Sequence, residues 1–165
     1  MFQYRVTKYD PAYRNRLGHY TRDDWIYFAQ VGRECGGTVL TLEEYERVES
    51  AYIDSALAFL REAGIRSLSA HSIQNPRASS SAPQEGAILE LSVLPAVMQG
   101  MLREELWCRL EAPEAFVDFG WDYYMYVGVP VPCESACELA RGRGLFVEPC
   151  RSPYRGDDGS YEEAS

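Results

Sequence analysis

The chain has 165 residues, of which 46% are hydrophobic and 25% charged, and its 16 basic and 25 acidic groups leave a formal charge of −9. This length and composition suit one globular domain with its own hydrophobic core. No apolar run approaches the roughly 20 residues of a membrane helix, and the N-terminus, MFQYRVTKYD, lacks the apolar stretch of a secretory signal, so we expect a cytosolic protein.

The first part of the chain predicts one strand and two helices. Residues 2–9 alternate and are rich in β-forming side chains, which is typical of a strand. Thr21 is a predicted N-cap for a short helix. Thr41 and Glu44 form a T-x-x-E capping-box pattern, and the apolar spacing that follows predicts a long helix over residues 42–63.

The second part predicts more strands and two shorter helices. A Ser/Pro/Ala-rich stretch, residues 75–86, predicts a mobile loop inside the domain. We expect one domain over residues 1–155 and an acidic tail, residues 156–165, that frays. Because strands and helices alternate only loosely, we predict an α+β fold in which a long helix and two or three shorter helices pack on a mostly antiparallel sheet. The predicted strands are 65–73, 87–91, 107–110 and 145–149, and the shorter helices begin near Pro95 and span 134–141.

The segment FVDFGWDYYMYVG, residues 116–128, combines six aromatic side chains with two aspartates. It predicts a β-hairpin that turns at residues 120–122, and strand alternation sends Tyr123 and Tyr124 to opposite faces. Tyr and Trp serve both in cores and at protein interfaces, so a buried strand pair and a partner-binding surface both stay open. Self-association through the aromatic strand is a third interpretation.

Charge is distributed unevenly along the chain. Residues 1–40 have a balance of +2, and residues 41–165 have a balance of −11. An acidic body argues against general nucleic-acid binding, because each phosphate contact needs a cation. It suits a basic protein partner, but a net negative charge that only keeps a small protein in solution explains the same balance. The predicted partner-binding residues are Asp118, Trp121, Asp122, Tyr124 and Tyr126, with Glu104 and Glu105 at the rim.

An alternative site lies in the basic N-terminal segment, where arginines and a histidine alternate with tyrosines. Such a mixture suits a small enzyme or a binding domain that acts on a nucleotide or another phosphorylated ligand. A solvated loop whose arginines pair with the acidic body explains the same pattern. The candidate ligand-binding residues are Arg14, Arg16, His19 and Arg22.

No metal, cofactor or catalytic residue is predicted. The five cysteines are scattered and odd in number, which favours reduced, inert thiols over a disulfide framework. Cys133 and Cys137 have helical spacing, but a zinc site needs four ligands, and neither His19 nor His71 has a ligand-like spacing. The adjacent acids 104–105 diverge by about 100° on a helix, and no phosphate loop or nucleophile motif is present.

Four segments carry a resemblance: VTKYDP near the start, LTLEEYERVE on the long helix, DYYMYVG in the hairpin and GLFVE near the end. Together they resemble a group of small uncharacterised bacterial proteins, over most of the chain. Some proteins of this general size and acidity in turn resemble immunity proteins of toxin systems between competing bacteria. The resemblance implies a non-enzymatic inhibitor of a basic toxin domain, and it carries over no catalytic residue.

Overall fold

The computed structural model of the chain describes residues 1–156. Within this range the helices are α1 (Leu42–Glu62), α2 (Leu94–Leu102) and α3 (Glu134–Gly142). The strands are β1 (Phe2–Thr7), β2 (Glu34–Cys35), β3 (Thr38–Val39), β4 (Ser67–Gln74), β5 (Ile88–Glu90), β6 (Trp107–Ala112), β7 (Ala115–Phe119), β8 (Met125–Val129) and β9 (Phe146–Pro149). Seven of them form one sheet in the order β5–β4–β6–β7–β8–β1–β9, and β2 pairs with β3.

The predicted α+β fold is confirmed. All paired neighbours in the sheet are antiparallel, and the long helix α1 packs against α2, α3 and β8. Thr41 caps α1, because its hydroxyl accepts the backbone N–H of Glu44 at 3.1 Å. The carboxylate of Glu44 binds Arg47 at 2.7 Å, so only the Thr41 half of the predicted capping box forms.

The two faces of the sheet differ in chemistry. Register places Val117 opposite Val127 on the face that the helices cover, and both side chains are fully buried. The other face, here called the polar face, carries Asp118 opposite Tyr126, and Tyr126 lies opposite Arg5 of β1. Apolar side chains therefore alternate with polar ones along the central strands, as expected where one side is the core.

The C-terminal segment, residues 150–156, covers the centre of the polar face. Arg155 donates to both carboxylate oxygens of Asp118, at 3.1 and 2.7 Å, and to Glu111 at 2.6 Å. Its guanidinium also lies 4.3 Å from the centroid of the Phe116 ring, and the hydroxyl of Ser152 donates to Asp118 at 2.8 Å. Both faces of β7 are consequently buried, and the negative charge of Asp118 is paired with the guanidinium of Arg155 inside the protein.

The helix predicted after Thr21 is wrong. In its place the chain is irregular apart from a single 3-10 turn, Phe28–Gln30. Side chains bind the backbone here: Asp24 accepts the N–H of Trp25 at 2.8 Å, and Asp23 accepts the N–H of Gly36 at 3.0 Å. Such side-chain bonds compete with the helical ladder, and in this segment they prevail.

The predicted loop, residues 75–86, lies between β4 and β5 and is held by hydrogen bonds within it and to β4. Asn75 accepts the N–H of Ser79 at 2.8 Å, and Glu85 accepts the N–H of Ser72 at 3.1 Å. The mobility of this loop stays a prediction.

The predicted fraying tail, residues 156–165, lies outside the described residues except for Gly156. No helix in the described part of the chain is both long and apolar enough to cross a membrane.

Replacing Arg155 by Ala should leave Asp118 buried without a cation, which costs roughly 3–5 kcal/mol for a buried pair. We expect a large loss in the free energy of unfolding, measured by urea denaturation. The matched control, Arg16→Ala, removes an exposed arginine and should change it by less than about 0.5 kcal/mol. Equal stability of the two variants would show that the C-terminal segment does not hold the sheet.

Candidate partner-binding site

The predicted hairpin forms, and its tip, residues 120–124, joins β7 to β8. The turn is two residues longer than the predicted 120–122, so Tyr123 and Tyr124 lie in the turn and not in the second strand. The N–H of Gly120 donates to the carbonyl of Tyr124 at 2.8 Å and closes the loop. Inside it the side chain of Asp122 accepts the N–H of Tyr124 at 3.3 Å. Tyr123 has φ +64°, a left-handed conformation that is uncommon for a residue other than glycine.

Two tyrosine hydroxyls from other elements fix the backbone of this tip. The Tyr9 hydroxyl donates to the carbonyl of Asp122 at 2.8 Å, and the Tyr52 hydroxyl donates to the carbonyl of Tyr123 at 2.8 Å. The Tyr52 oxygen in turn accepts the N–H of Lys8 at 2.7 Å. Burial raises the pKa of both tyrosines, so each stays a neutral donor across the physiological range.

The side chain of Tyr123 extends the same network into the core. Its hydroxyl donates to that of Tyr45 at 3.0 Å, and Tyr45 donates to the carbonyl of Leu102 at 3.2 Å. The Tyr123 ring lies 4.9 Å from Trp25 and 5.1 Å from Tyr52, both edge to face. Hydrogen bonds and ring contacts thus tie the tip to α1, to the end of α2 and to the N-terminal segment.

An apolar pocket of about 70 Å³ lies on one side of the tip. Trp121 lines it and is 70% exposed, so the indole is presented to solvent at its edge. Glu104 is the one charged side chain among the described residues that line it. Its other principal walls are Ile26, Met101, Leu106, Trp107, Phe119 and Tyr123.

A wider cleft of about 400 Å³, here called the tyrosine cleft, lies on the other side of the tip. The ring of Tyr9 stands between those of Tyr20 and Tyr124, at 4.9 and 5.2 Å. Ile26 lines this cleft as well as the apolar pocket, so the two lie side by side with the tip between them. The charged side chains of the cleft are Arg5, Arg22, Asp24 and Asp122, and the imidazole of His19 lines it with them.

Several of the charges at the cleft are paired within the protein. Arg5 binds Glu148 at 3.0 Å and lies 5.5 Å above the ring of Tyr124. Asp24 binds Lys8 at 2.8 Å. Burial raises the pKa of Asp122, the acid on the tip itself. The cleft therefore combines aromatic surface with both signs of charge.

The predicted partner-binding residues fall into two groups. Trp121 and Asp122 are exposed at the tip and Tyr124 is half-buried beside them. Asp118 is only 6% exposed and is covered by the C-terminal segment, so we leave it out of the candidate surface. Tyr126 is 8% exposed and its ring contacts Tyr154 of that segment, but it also lines the tyrosine cleft. Their burial follows from the segment that folds back over them, which strand alternation does not reveal.

The two rim acids also separate. Glu104 lines the apolar pocket with Trp121, as a rim residue should. Glu105 is turned towards the loop between β4 and β5, where it accepts the hydroxyl of Ser79 at 3.2 Å. The candidate surface therefore contains one of the two acids.

The structure splits the alternative ligand-binding group as well. His19 and Arg22 line the tyrosine cleft, and Arg22 stacks 3.2 Å from the centroid of Tyr13. Arg14 is held away from it by Glu148 at 2.7 Å, and Arg16 is exposed in the loop outside the cleft. Two sites that were separate in sequence thus share one cleft. Sequence reasoning counted Tyr9 among the tyrosines of the basic segment, but it missed the supporting residues Ile26, Tyr27, Tyr52 and Met101. The helical spacing of Tyr52 and Met101 signals only burial.

Among the described residues no group of three or more His, Cys, Asp and Glu is placed to hold a metal ion. Cys133 and Cys137 are buried. The Cys133 thiol points at the carbonyl of Phe59 at 3.7 Å, and burial raises its pKa to about 11. It is therefore protonated at neutral pH and is a poor nucleophile.

Lys8 supplies a buried cation behind the cleft. Its side chain is 7% exposed, its ammonium lies 4.1 Å from the ring centroids of both Tyr9 and Trp25, and burial lowers its pKa to about 8. An unfolded lysine has a pKa near 10.4. The folded protein therefore loses this proton first as the pH rises, and the cost of burying the charge disappears between about pH 8 and 10.4.

Comparing wild type with Lys8→Met isolates this effect, because both proteins share all other titrating groups. The free energy of unfolding of wild type, relative to the variant, should rise by about 2–3 kcal/mol from pH 7 to pH 10. Urea denaturation at intervals of one pH unit measures it. A difference that stays constant with pH would mean that Lys8 is not buried as a cation.

No protein-family model, curated protein or solved structure matches this chain. The features that bear on function are the hairpin tip and the two depressions beside it. They combine aromatic rings, the apolar pocket and side chains of both charges.

Proposed function

We propose that this is a non-enzymatic cytosolic binding protein whose hairpin tip docks a basic protein partner, in the manner of an immunity-type inhibitor that covers a toxin domain. The observation that carries the proposal is Trp121, a large apolar side chain 70% exposed on a turn that buried tyrosines hold in place. A rigid exposed Trp is the typical anchor of a protein interface.

The surroundings of Trp121 support this proposal. Binding hot spots are aromatic side chains next to pockets that lose their water when the partner docks. The tip has such a depression on each side, and the half-buried ring of Tyr124 continues the aromatic surface into the tyrosine cleft. Because the backbone is already fixed, docking orders few additional groups, which favours affinity.

Charge supports a basic partner in particular. The chain has a formal charge of −9, and each depression beside the tip contains an acid, Glu104 in the apolar pocket and Asp122 of the tip itself in the cleft. Acidic surfaces accelerate encounter with basic proteins, and salt screens this attraction. Association should therefore weaken as ionic strength rises.

A pull-down from native lysate, read by mass spectrometry at low and high salt, tests the proposal. Wild type should retain one basic protein at low salt and less of it at high salt. Trp121→Ala should weaken the complex by roughly 30-fold or more, the effect of a hot-spot residue of about 2 kcal/mol. The matched control is Ile88→Ala, which removes a side chain of similar exposure, 75%, on the edge strand β5.

Two results would contradict the proposal. One is the absence of any stoichiometric basic partner in the retained fraction. The other is a Trp121→Ala variant that holds its partner as tightly as Ile88→Ala does. Circular dichroism of both variants checks that each is folded before its binding is read.

A second candidate function is the binding of a nucleotide or another phosphorylated ligand in the tyrosine cleft. The observation that favours it is that Arg5, His19 and Arg22 all line this cleft, beside aromatic rings on which a base can stack. Asp24 and Asp122 line it too and repel phosphate, which is why we rank it second.

A thermal-shift screen with nucleotides separates this candidate from the first. If it holds, a nucleotide raises Tm, and Arg22→Ala abolishes the rise because one of the cations of the cleft is lost. Arg16→Ala, an exposed arginine of the same segment outside the cleft, should leave the rise intact. A flat screen removes the candidate.

A further inference from the structure

We propose that the apolar pocket receives one aliphatic or aromatic side chain of the protein partner, and that a Lys or Arg adjacent to it in the partner's sequence pairs with Glu104. This inference rests on the proposed function and specifies the chemistry that the partner must present. Three observations support it: the size of the pocket, the single charge in its lining and the backbone conformation of Glu104.

The size of the pocket fits a single side chain. Its volume is about 70 Å³, above the roughly 10–15 Å³ that a cavity needs to hold water. It is well below the roughly 300–1,000 Å³ of small-molecule sites. A Leu or Phe side chain inserted beside the exposed Trp121 would replace that water with apolar contacts.

The charge of the pocket determines which charge the partner should carry beside the inserted side chain. The walls are mainly aliphatic and aromatic, and among the described lining residues Glu104 carries the only formal charge. A basic residue beside the inserted side chain would meet this carboxylate at the edge of the interface. An acidic neighbour would be repelled.

The backbone at Glu104 shows that an acid stands where the fold favours glycine. All three helices of the described chain end with the same pair of backbone hydrogen bonds. The N–H of the first residue after the C-cap donates to the carbonyl three residues before it, and the N–H of the second donates to the carbonyl five residues before it. In α1 and α3 the left-handed position of this ending is glycine, Gly64 at φ +74° and Gly144 at φ +85°. In α2 it is Glu104, at φ +57°.

A left-handed conformation is unfavourable for glutamate and free of steric cost for glycine. The structure therefore tolerates strain at the one helix end whose residue lines the pocket, and Tyr123, the second strained residue there, lines it too. Strain of this kind is concentrated at functional sites. The left-handed backbone at Glu104 allows effects on stability to be distinguished from effects on binding. Glu104→Gly should relieve the backbone strain, which favours stability, and at the same time remove the carboxylate that binds the partner.

Capped dipeptides test the pocket directly on the full-length protein. The probes are acetyl-Phe-Arg-amide, acetyl-Ala-Arg-amide and acetyl-Phe-Glu-amide, titrated into ¹⁵N-labelled protein while the indole N–H signals of Trp107 and Trp121 are followed by NMR. Phe-Arg should give saturable shifts of both signals. The Ala-Arg and Phe-Glu peptides should bind at least about tenfold more weakly, because each lacks one of the two contacts.

Variants of the protein complete the test. Glu104→Gly should weaken Phe-Arg binding about fivefold or more while Tm stays unchanged or rises, so lost binding cannot be attributed to unfolding. The control, Glu114→Gln, removes an acid from the turn between β6 and β7, at the opposite end of β7 from the tip, and should bind as wild type does.

Failure of this inference is distinguishable from failure of the proposed function. A partner captured through Trp121, without saturable Phe-Arg shifts or with a Glu104→Gly variant that binds as wild type, overturns the pocket inference alone. Phe-Arg binding that depends on Glu104, in a protein that retains no basic partner, supports the preference of the pocket and overturns the proposed function.

Discussion

The candidate surface depends on hydrogen bonds from buried tyrosines to the backbone of one turn. The hydroxyls of Tyr9 and Tyr52 hold the carbonyls of Asp122 and Tyr123, and neither carbonyl has to be satisfied by water. Because Tyr52 lies on α1 and Tyr9 follows β1, the turn is fixed relative to the whole sheet. This constraint allows Trp121 to stand exposed without a collapse of the loop.

The candidate surface also contains features that lower the stability of the fold. Trp121 exposes apolar area to water, and Glu104 and Tyr123 hold left-handed backbone angles that glycine would adopt more readily. These three residues line the same pocket. On the polar face, by contrast, Arg155 and Asp118 are paired at 2.7 Å and both are buried.

Much of the fold was predictable from local pattern. The cap at Thr41 and the helical spacing behind it define α1, since a long amphipathic helix is specified by its own periodicity. The hairpin was predictable for the same reason, because alternation and a turn at residues 120–122 are short-range signals. The helix predicted after Thr21 is wrong because side-chain bonds to the backbone, such as that of Asp24 to Trp25, outweighed a weak helical preference.

By itself the sequence determined the fold class, the long helix and the aromatic hairpin, since these follow from spacing between near neighbours. Tertiary structure alone decided which hairpin residues face solvent. Asp118 and Tyr126 are buried because the C-terminal segment folds over them, and Trp121 is exposed because nothing in the described chain covers the tip. Contacts between residues far apart in sequence have no periodicity, so only packing could bring Glu104 to the same pocket as Trp121.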